Sequence, residues 1–143
     1  IGVHHPRIAV LSATESELPA MPSSVEAALI VAAASEVDPA AAYAGPLSFD
    51  LAVSPESAVI KGVDVNTQTG GVAGYADGLI VPDIVSGNVL FKSIVYFAGG
   101  LAAGLVVGGR VPIILTSRSD PPSSRLASLV LAQLYEAEGQ ISS

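Results

Sequence analysis

Short apolar runs alternate with one-sided apolar patterns along this chain, and that alternation sets the expected architecture. Arg7 to Ala13 (RIAVLSA), Gly78 to Val81, Leu101 to Val107 and Val111 to Leu115 are too short for helices and predict strands, those at 78–81 and 111–115 buried. Ala40 to Ala44 is a weaker strand candidate. Val25 to Ser35 predicts a helix capped by Ser23 or Ser24, with Glu26 in its first turn, Ala32 to Ala34 against a sheet, and Asp38-Pro39 as its stop. Leu51 to Ile60 predicts a helix interrupted near Ser54-Pro55 and closed by Lys61-Gly62. Asp83 can cap a helix from Ile84 to Phe97, on which Asn88 and Lys92 share a face. Leu126, Leu129, Val130 and Leu134 form one stripe of a further helix, with Asp120 as N-cap and Pro121 at the first helical position. Thr14 to Pro22 predicts an exposed loop, and Val63 to Gly74 a mobile one. The whole predicts an α/β fold, an α/β/α layered sandwich with a mostly parallel sheet covered on both faces.

Composition narrows the function classes. At 143 residues, half of them hydrophobic and 13% charged, the chain predicts one domain with a real core, not a disordered tail. Cysteine is absent, which excludes disulfides, thiolate metal sites and a cysteine nucleophile. The only histidines, His4 and His5, stand at the start, so a histidine triad or zinc site is not expected. A net charge of −7 with six Lys and Arg leaves no basic patch for a nucleic acid. The most lipophilic stretch, Ile94 to Val107, is too short for a membrane span and carries three glycines; it is read as buried core, or as apolar surface for a dimer. No signal peptide is visible, so a cytoplasmic protein is expected. Met21 is the only methionine, so Ile1 is not expected to be a translation start.

The stretch VPIILTSRSDPPSSRL holds the sharpest chemistry. Ser117 and Arg118 follow a strand and precede a helix N-terminus, a place where α/β sheets bind ligands and where anions are favoured. Taken singly, each candidate also has a plain structural role. Ser117 could bond backbone at a strand end, and Arg118 could pair with Asp120 on the surface. Asp83 and Asp50 could be helix caps, Lys92 a snorkelling side chain, and Gly45-Pro46 a turn. Ser86 and Gly87 stand where a helix end could approach a ligand closely. Neither GxxxxGK[ST] nor GxGxxG is present.

In combination and order the motifs are specific. GPLSFDLAVSPESAVIKG, then ADGLIVPDIVSGNVLFKSIVYFAGG, then VPIILTSRSDPPSSRLAS closely resembles the phosphate acetyltransferase and phosphate butyryltransferase family, nearer its butyryltransferase branch. PRIAVLSATE and PSSVEAA fit the second half of that family. The resemblance implies transfer of a short acyl group between coenzyme A and inorganic phosphate. It also implies a fold like the isocitrate and isopropylmalate dehydrogenases, with a cleft between two domains. Residues 1–143 would then be the C-terminal part of such a protein, a single α/β domain that needs an upstream domain to complete the cleft. Carried over by motif, Ser117 and Arg118 match the family's active-site pair, and Phe49-Asp50 its Phe-Asp pattern, with Asp50 a catalytic candidate. Pro82, Asp83, Gly87, Asn88 and Lys92 match its substrate-binding pattern. The acetyltransferase branch has a carboxylate seven residues after the serine as the base toward the thiol; here that position is Ser124.

The residues suit this chemistry on their own terms. The attacking thiol belongs to coenzyme A, so no protein cysteine is needed. Arg118 offers a fork for phosphate oxygens, Ser117 a donor near the developing oxyanion, and Asp50 or Asp83 a base. The resemblance implies coenzyme A or acyl-CoA and phosphate as partners, no permanent cofactor, no metal and a homodimer. The alternative is a non-catalytic module of the same fold that binds coenzyme A or a partner.

Overall fold

A computed structural model describes residues 2–117 and 120–141. Where length suggests one domain, these residues fall into two compact units, Gly2–Asn88 and the described residues from Val89 onward.

The first unit is built around strand β1 (Arg7–Leu11), the middle member of a three-stranded sheet of order β2-β1-β3. β2 (Ala42–Leu47) and β3 (Gly78–Ile80) both run parallel to it. Ala9, Val10 and Leu11 are buried, as expected for a central strand. Gly45-Pro46 is a cis peptide inside β2, not a turn. The register of β1 against β2 slips there, from Ala9↔Ala44 to Leu11↔Leu47. Pro46 has no N–H to give the ladder, so an irregularity is a natural consequence. Gly45 is required by proximity, because a Cβ would lie 2.7 Å from the Val10 carbonyl oxygen. β3 is less covered than predicted: Ile80 is exposed.

Helix α1 (Pro22–Val37) begins earlier than expected, with Pro22 in its first turn, where a missing N–H costs nothing. Ser24 is therefore not its cap. Its buried hydroxyl accepts from the Leu18 N–H at 2.8 Å and lies 2.8 Å from the Met21 carbonyl, tying the preceding loop to the helix. Ala32 and Ala33 are exposed, and the covered face is instead Ser24, Ala27, Val31 and Ala34. That spacing of three, four and three is the helical one. A run of three alanines marks propensity, not a face.

The helix expected from Leu51 to Ile60 is two short ones, α2 (Phe49–Val53) and α3 (Pro55–Ile60), broken at Ser54 as predicted. Gly62, at φ 66°, follows the Lys61 that ends α3. Residues 63–74 are not the loop expected of them. Asp64 caps a one-turn helix, α4 (Val65–Thr69), its Oδ1 accepting from the N–H groups of Asn66 and Thr67 at 3.0 and 3.1 Å. The Thr69 hydroxyl donates to the Val65 carbonyl and accepts from the Ala73 N–H. Val72 and Ala73 are fully buried behind it. The polar run looked like loop because its side chains bond locally, and here those bonds close the turn.

Arg7 and Asp77 fasten β1 to the segment entering β3. The guanidinium donates through Nε and Nη2 to the two carboxylate oxygens, each at 2.9 Å, and the Arg7 N–H adds a third bond at 3.0 Å. These bonds, the guanidinium's foremost, hold the Asp77 carboxyl down at about 2. A depressed carboxyl contributes stability that is present above its unfolded value of about 4 and is lost as pH falls through about 2. Melting temperature should therefore drop on acidification across that window, and Asp77→Asn should flatten the drop. An equally steep acid loss in the variant would rule this pair out as a source.

In the second unit, β4 (Leu105–Val106) and β5 (Ile113–Ile114) form an antiparallel pair, beside an expectation of a mostly parallel sheet. Both strands are shorter than the apolar runs that predicted them. Gly108, at φ 92°, lies in the turn between them, and so short a connection fits antiparallel neighbours. Ile113, Ile114 and Leu115 are exposed on this chain, not buried, and so is most of the apolar stretch 94–107. Helix α5 (Ile84–Phe97) matches its predicted limits. Helix α6 (Pro122–Ile141) begins one residue later than predicted and buries the unexpected side. Ser124, Ser128 and Ala132 face inward, while Leu126, Leu129, Val130 and Leu134 remain exposed. The reason is close approach. The Ser128 hydroxyl accepts from the Gly104 N–H at 3.0 Å and donates to the Ser124 carbonyl at 2.8 Å, which a larger inward residue would prevent.

Candidate functional site

Parallel strands bring their carboxyl ends to one edge of a sheet. In the first unit Glu15 follows that end of β1, Ser48 and Asp50 follow β2, and Pro82 and Asp83 follow β3. With β1 between the outer two strands, the departures of β2 and β3 are two strand spacings apart, about 10 Å.

Asp50 stands in the first turn of α2 and is exposed. Its carboxylate accepts from Lys61 Nζ at 3.0 Å, and the same ammonium reaches Glu15 Oε1 and Ser48 Oγ, both at 2.7 Å. The Ser48 hydroxyl donates in turn to Glu15. Hydrogen bonds from Lys61 above all, then from Ser48, hold the Asp50 and Glu15 carboxyls below the ordinary range, and the bonds to Glu15 first, then Asp50, raise the Lys61 ammonium. Asp50 is thus an ionised partner to a cation and a weak proton acceptor. Sequence reasoning gave Lys61 only the role of closing a helix and left Glu15 in an exposed loop. Their pairing spans 46 positions, and no local pattern signals it.

Asp83 caps α5 as predicted. Its Oδ1 accepts from the Val85 and Ser86 N–H groups at 2.8 and 2.9 Å, and its Oδ2 from the Ser86 hydroxyl at 2.6 Å. The Ser86 hydroxyl first, then the backbone donors, hold its carboxyl below the ordinary range. Gly87 serves packing, because a Cβ there would meet Val81 Cγ2 at 2.8 Å. Pro82 and Asn88 are exposed. A cavity of about 540 Å³ in this unit is lined by Glu15, Tyr43 and Gln68, but by none of the predicted site residues. Size alone therefore does not locate the chemistry.

In the second unit, Ser117 lies three residues beyond β5, exposed, with its backbone N–H donating to Asp120 Oδ2 at 2.6 Å. Arg118 lies outside the described residues. Ser117 lines a cavity of about 370 Å³ together with Thr116, Asp120 and Ser128. A second cavity, about 250 Å³, is lined by Lys92, Tyr96 and Asp120. Asp120 and Phe91 are common to both, so one half-buried carboxylate lines the cavity of Ser117 and that of Lys92. Asp120 stands two residues ahead of α6, and its carboxylate turns back to the strand-end loop. Among the described residues no group of three or more His, Asp or Glu side chains could hold a metal, and no helix is long and apolar enough to cross a membrane.

The chemistry available is that of a hydroxyl, a carboxylate and an ammonium around open cavities. A family model described as phosphate acetyl/butaryl transferase matches residues 1–132. A phosphate acetyltransferase of Rhizobium meliloti is 44% identical over 138 residues, 96% of this chain and 42% of that protein. A phosphate butyryltransferase of Clostridium acetobutylicum is 37% identical over 135 residues, 94% of this chain and 43% of that protein. The crystal structure of a branched-chain phosphotransacylase from Enterococcus faecalis superposes with a TM-score of 0.80 at 44% identity, over 92% of this chain and 46% of that one. The chain spans less than half the length of these relatives.

Proposed function

Because this chain belongs to the phosphate acetyl/butaryl transferase family, we propose that the full-length protein moves a short acyl group between coenzyme A and inorganic phosphate. The observation that carries this reading is the continuous match through residues 1–132, which takes in Ser117, Arg118 and the segment of Asp83 to Lys92. Relatives of both names occur, so identity does not choose the acyl group. Ser124, in the place of the acetyltransferase carboxylate, and the form of GPLSFD and LTSRSD favour a chain longer than acetyl.

In this reading coenzyme A is a substrate and no cofactor stays bound. Lys92 and Arg118 meet phosphate oxygens, the first as a point charge and the second as a fork. Ser117 donates to the oxygen that becomes negative as the thiol adds to the acyl carbon. Pro82, Asp83, Gly87 and Asn88 form the end of α5 that faces substrate, and Asp50 acts by fixing Lys61 rather than by taking a proton. The protein is cytoplasmic and a homodimer; exposed apolar side chains such as Phe97 and Leu126 support an apolar contact surface.

The deciding experiment measures free coenzyme A released from butyryl-CoA when phosphate is added to the full-length protein, with acetyl-CoA in parallel. Phosphate-dependent release, faster with butyryl-CoA, is expected. Binding of coenzyme A without release from any short acyl-CoA replaces the transferase by a binding module. Arg118→Lys should weaken phosphate and coenzyme A about 10- to 100-fold despite the retained charge, because charged hydrogen bonds contribute about 1.5–3 kcal/mol and a point charge keeps only part of a bidentate pair. Unchanged constants for both ligands would remove Arg118 from the site.

A further inference from the structure

The acyl transfer needs a group to take the proton of the thiol, and none of the carboxylates singled out from the sequence fits. Asp50 is held by Lys61 and Asp83 by the start of α5, both below the ordinary range. Ser124, where a carboxylate would be expected seven residues after Ser117, has no acidic group and is only 2% exposed, on the face of α6 that packs inward.

On the reading given under Proposed function, we propose that Asp120 is the general base of this site. Three observations place it there. Its Oδ2 is 2.6 Å from the Ser117 nitrogen, so the carboxylate is held at the residue that meets the acyl group. It is half-buried and so open to a ligand in a way that Ser124 is not. It lines both the cavity of Ser117 and that of Lys92, where a phosphate held by the ammonium and an acyl carbon near the hydroxyl would flank it. Among the described residues, the titratable groups that share these cavities with Asp120 are Lys92 and Tyr96 of α5; the Ser117 cavity is otherwise lined by Phe91, Leu115, small residues and hydroxyls.

In the step, Asp120 accepts the thiol proton as sulfur adds to the carbonyl carbon of the acyl phosphate. The carbon–sulfur bond forms, the carbon–oxygen bond to phosphate breaks, and the departing phosphate takes the proton back from Asp120. Run in reverse, the same carboxylate accepts a proton from phosphate and returns it to the leaving thiolate. Charge and atoms balance with no further reactant.

The test uses the full-length protein with Asp120→Asn and Asp120→Glu. Asparagine keeps an oxygen for the Ser117 N–H but cannot take the proton. Turnover should fall about 10²- to 10⁴-fold at neutral pH, with coenzyme A binding within about threefold of the parent. The variant's rate should then climb about tenfold per pH unit toward the thiol's own pKa of about 8.5, because solution ionisation replaces the missing base. The parent should climb less, and Asp120→Glu should recover part of the loss. Turnover of Asp120→Asn within about threefold of the parent overturns the assignment. So does a deep loss with a pH profile parallel to the parent's, which would make Asp120 only a holder of the Ser117 backbone. If the parent itself releases no coenzyme A, the transferase reading fails, and this assignment with it; an active parent with an active Asp120→Asn fails the assignment alone.

Discussion

Ser117→Ala should lower turnover of the full-length protein by roughly 10²- to 10³-fold, the usual effect of removing one oxyanion donor. Coenzyme A affinity should change by less than about threefold, because the bond is made mainly in the transition state. Ser117 is fixed through its backbone N–H to Asp120, and alanine keeps that bond. Steady-state release of coenzyme A and equilibrium binding of coenzyme A would be measured side by side. Affinity falling in step with turnover would make Ser117 a binding residue and remove the oxyanion role.

The second large effect is on stability. Leu51 is fully buried and is among the largest side chains enclosed in the first unit, and its carbonyl accepts from the Gly74 N–H at 2.7 Å. Leu51→Ala should cost roughly 2–5 kcal/mol, since the rigid surroundings leave a cavity. Against a total of about 5–15 kcal/mol for an ordinary domain, that is a large share. Leu126→Ala, at a position 63% exposed, should stay within about 0.5 kcal/mol in this chain. Urea unfolding of both variants tests the packing directly. Equal losses would mean that the leucine stripe of α6 is covered after all.

That contrast marks where the sequence was legible. Strand positions, the break at Ser54 and the cap at Asp83 were readable because each is decided by neighbours within four residues. The covered faces of α1 and α6 were not. Large apolar residues at helical spacing ordinarily point inward, whereas α6 buries Ser124 and Ser128, the latter bonded to the Gly104 N–H, and leaves its leucines open. The turn at 63–74 was missed because a polar run with two glycines is the ordinary signature of a loop, and only Val72 and Ala73 hinted at burial. Ser117, Asp83, Lys92 and Asp50 were candidates by motif alone. The partners that define their state, Lys61 for Asp50 and Asp120 for the Ser117 backbone, came from geometry. Asp120 had been read as a forward-facing cap, and its carboxylate faces the other way.

The sheet order also fixes a timetable for the growing chain. β1 is the middle strand, yet Arg7 meets Ala42 of β2 and finds Asp77 only 70 residues later. At about 5–20 residues per second of synthesis, the interval from Arg7 to Asp77 lasts about 4–14 seconds. Throughout it, an apolar strand has at least one open edge, the kind of surface that seeks a partner in another chain. A helper that shields strand edges would act in that interval, before β3 arrives, and would have little left to shield once the Arg7–Asp77 clasp has closed.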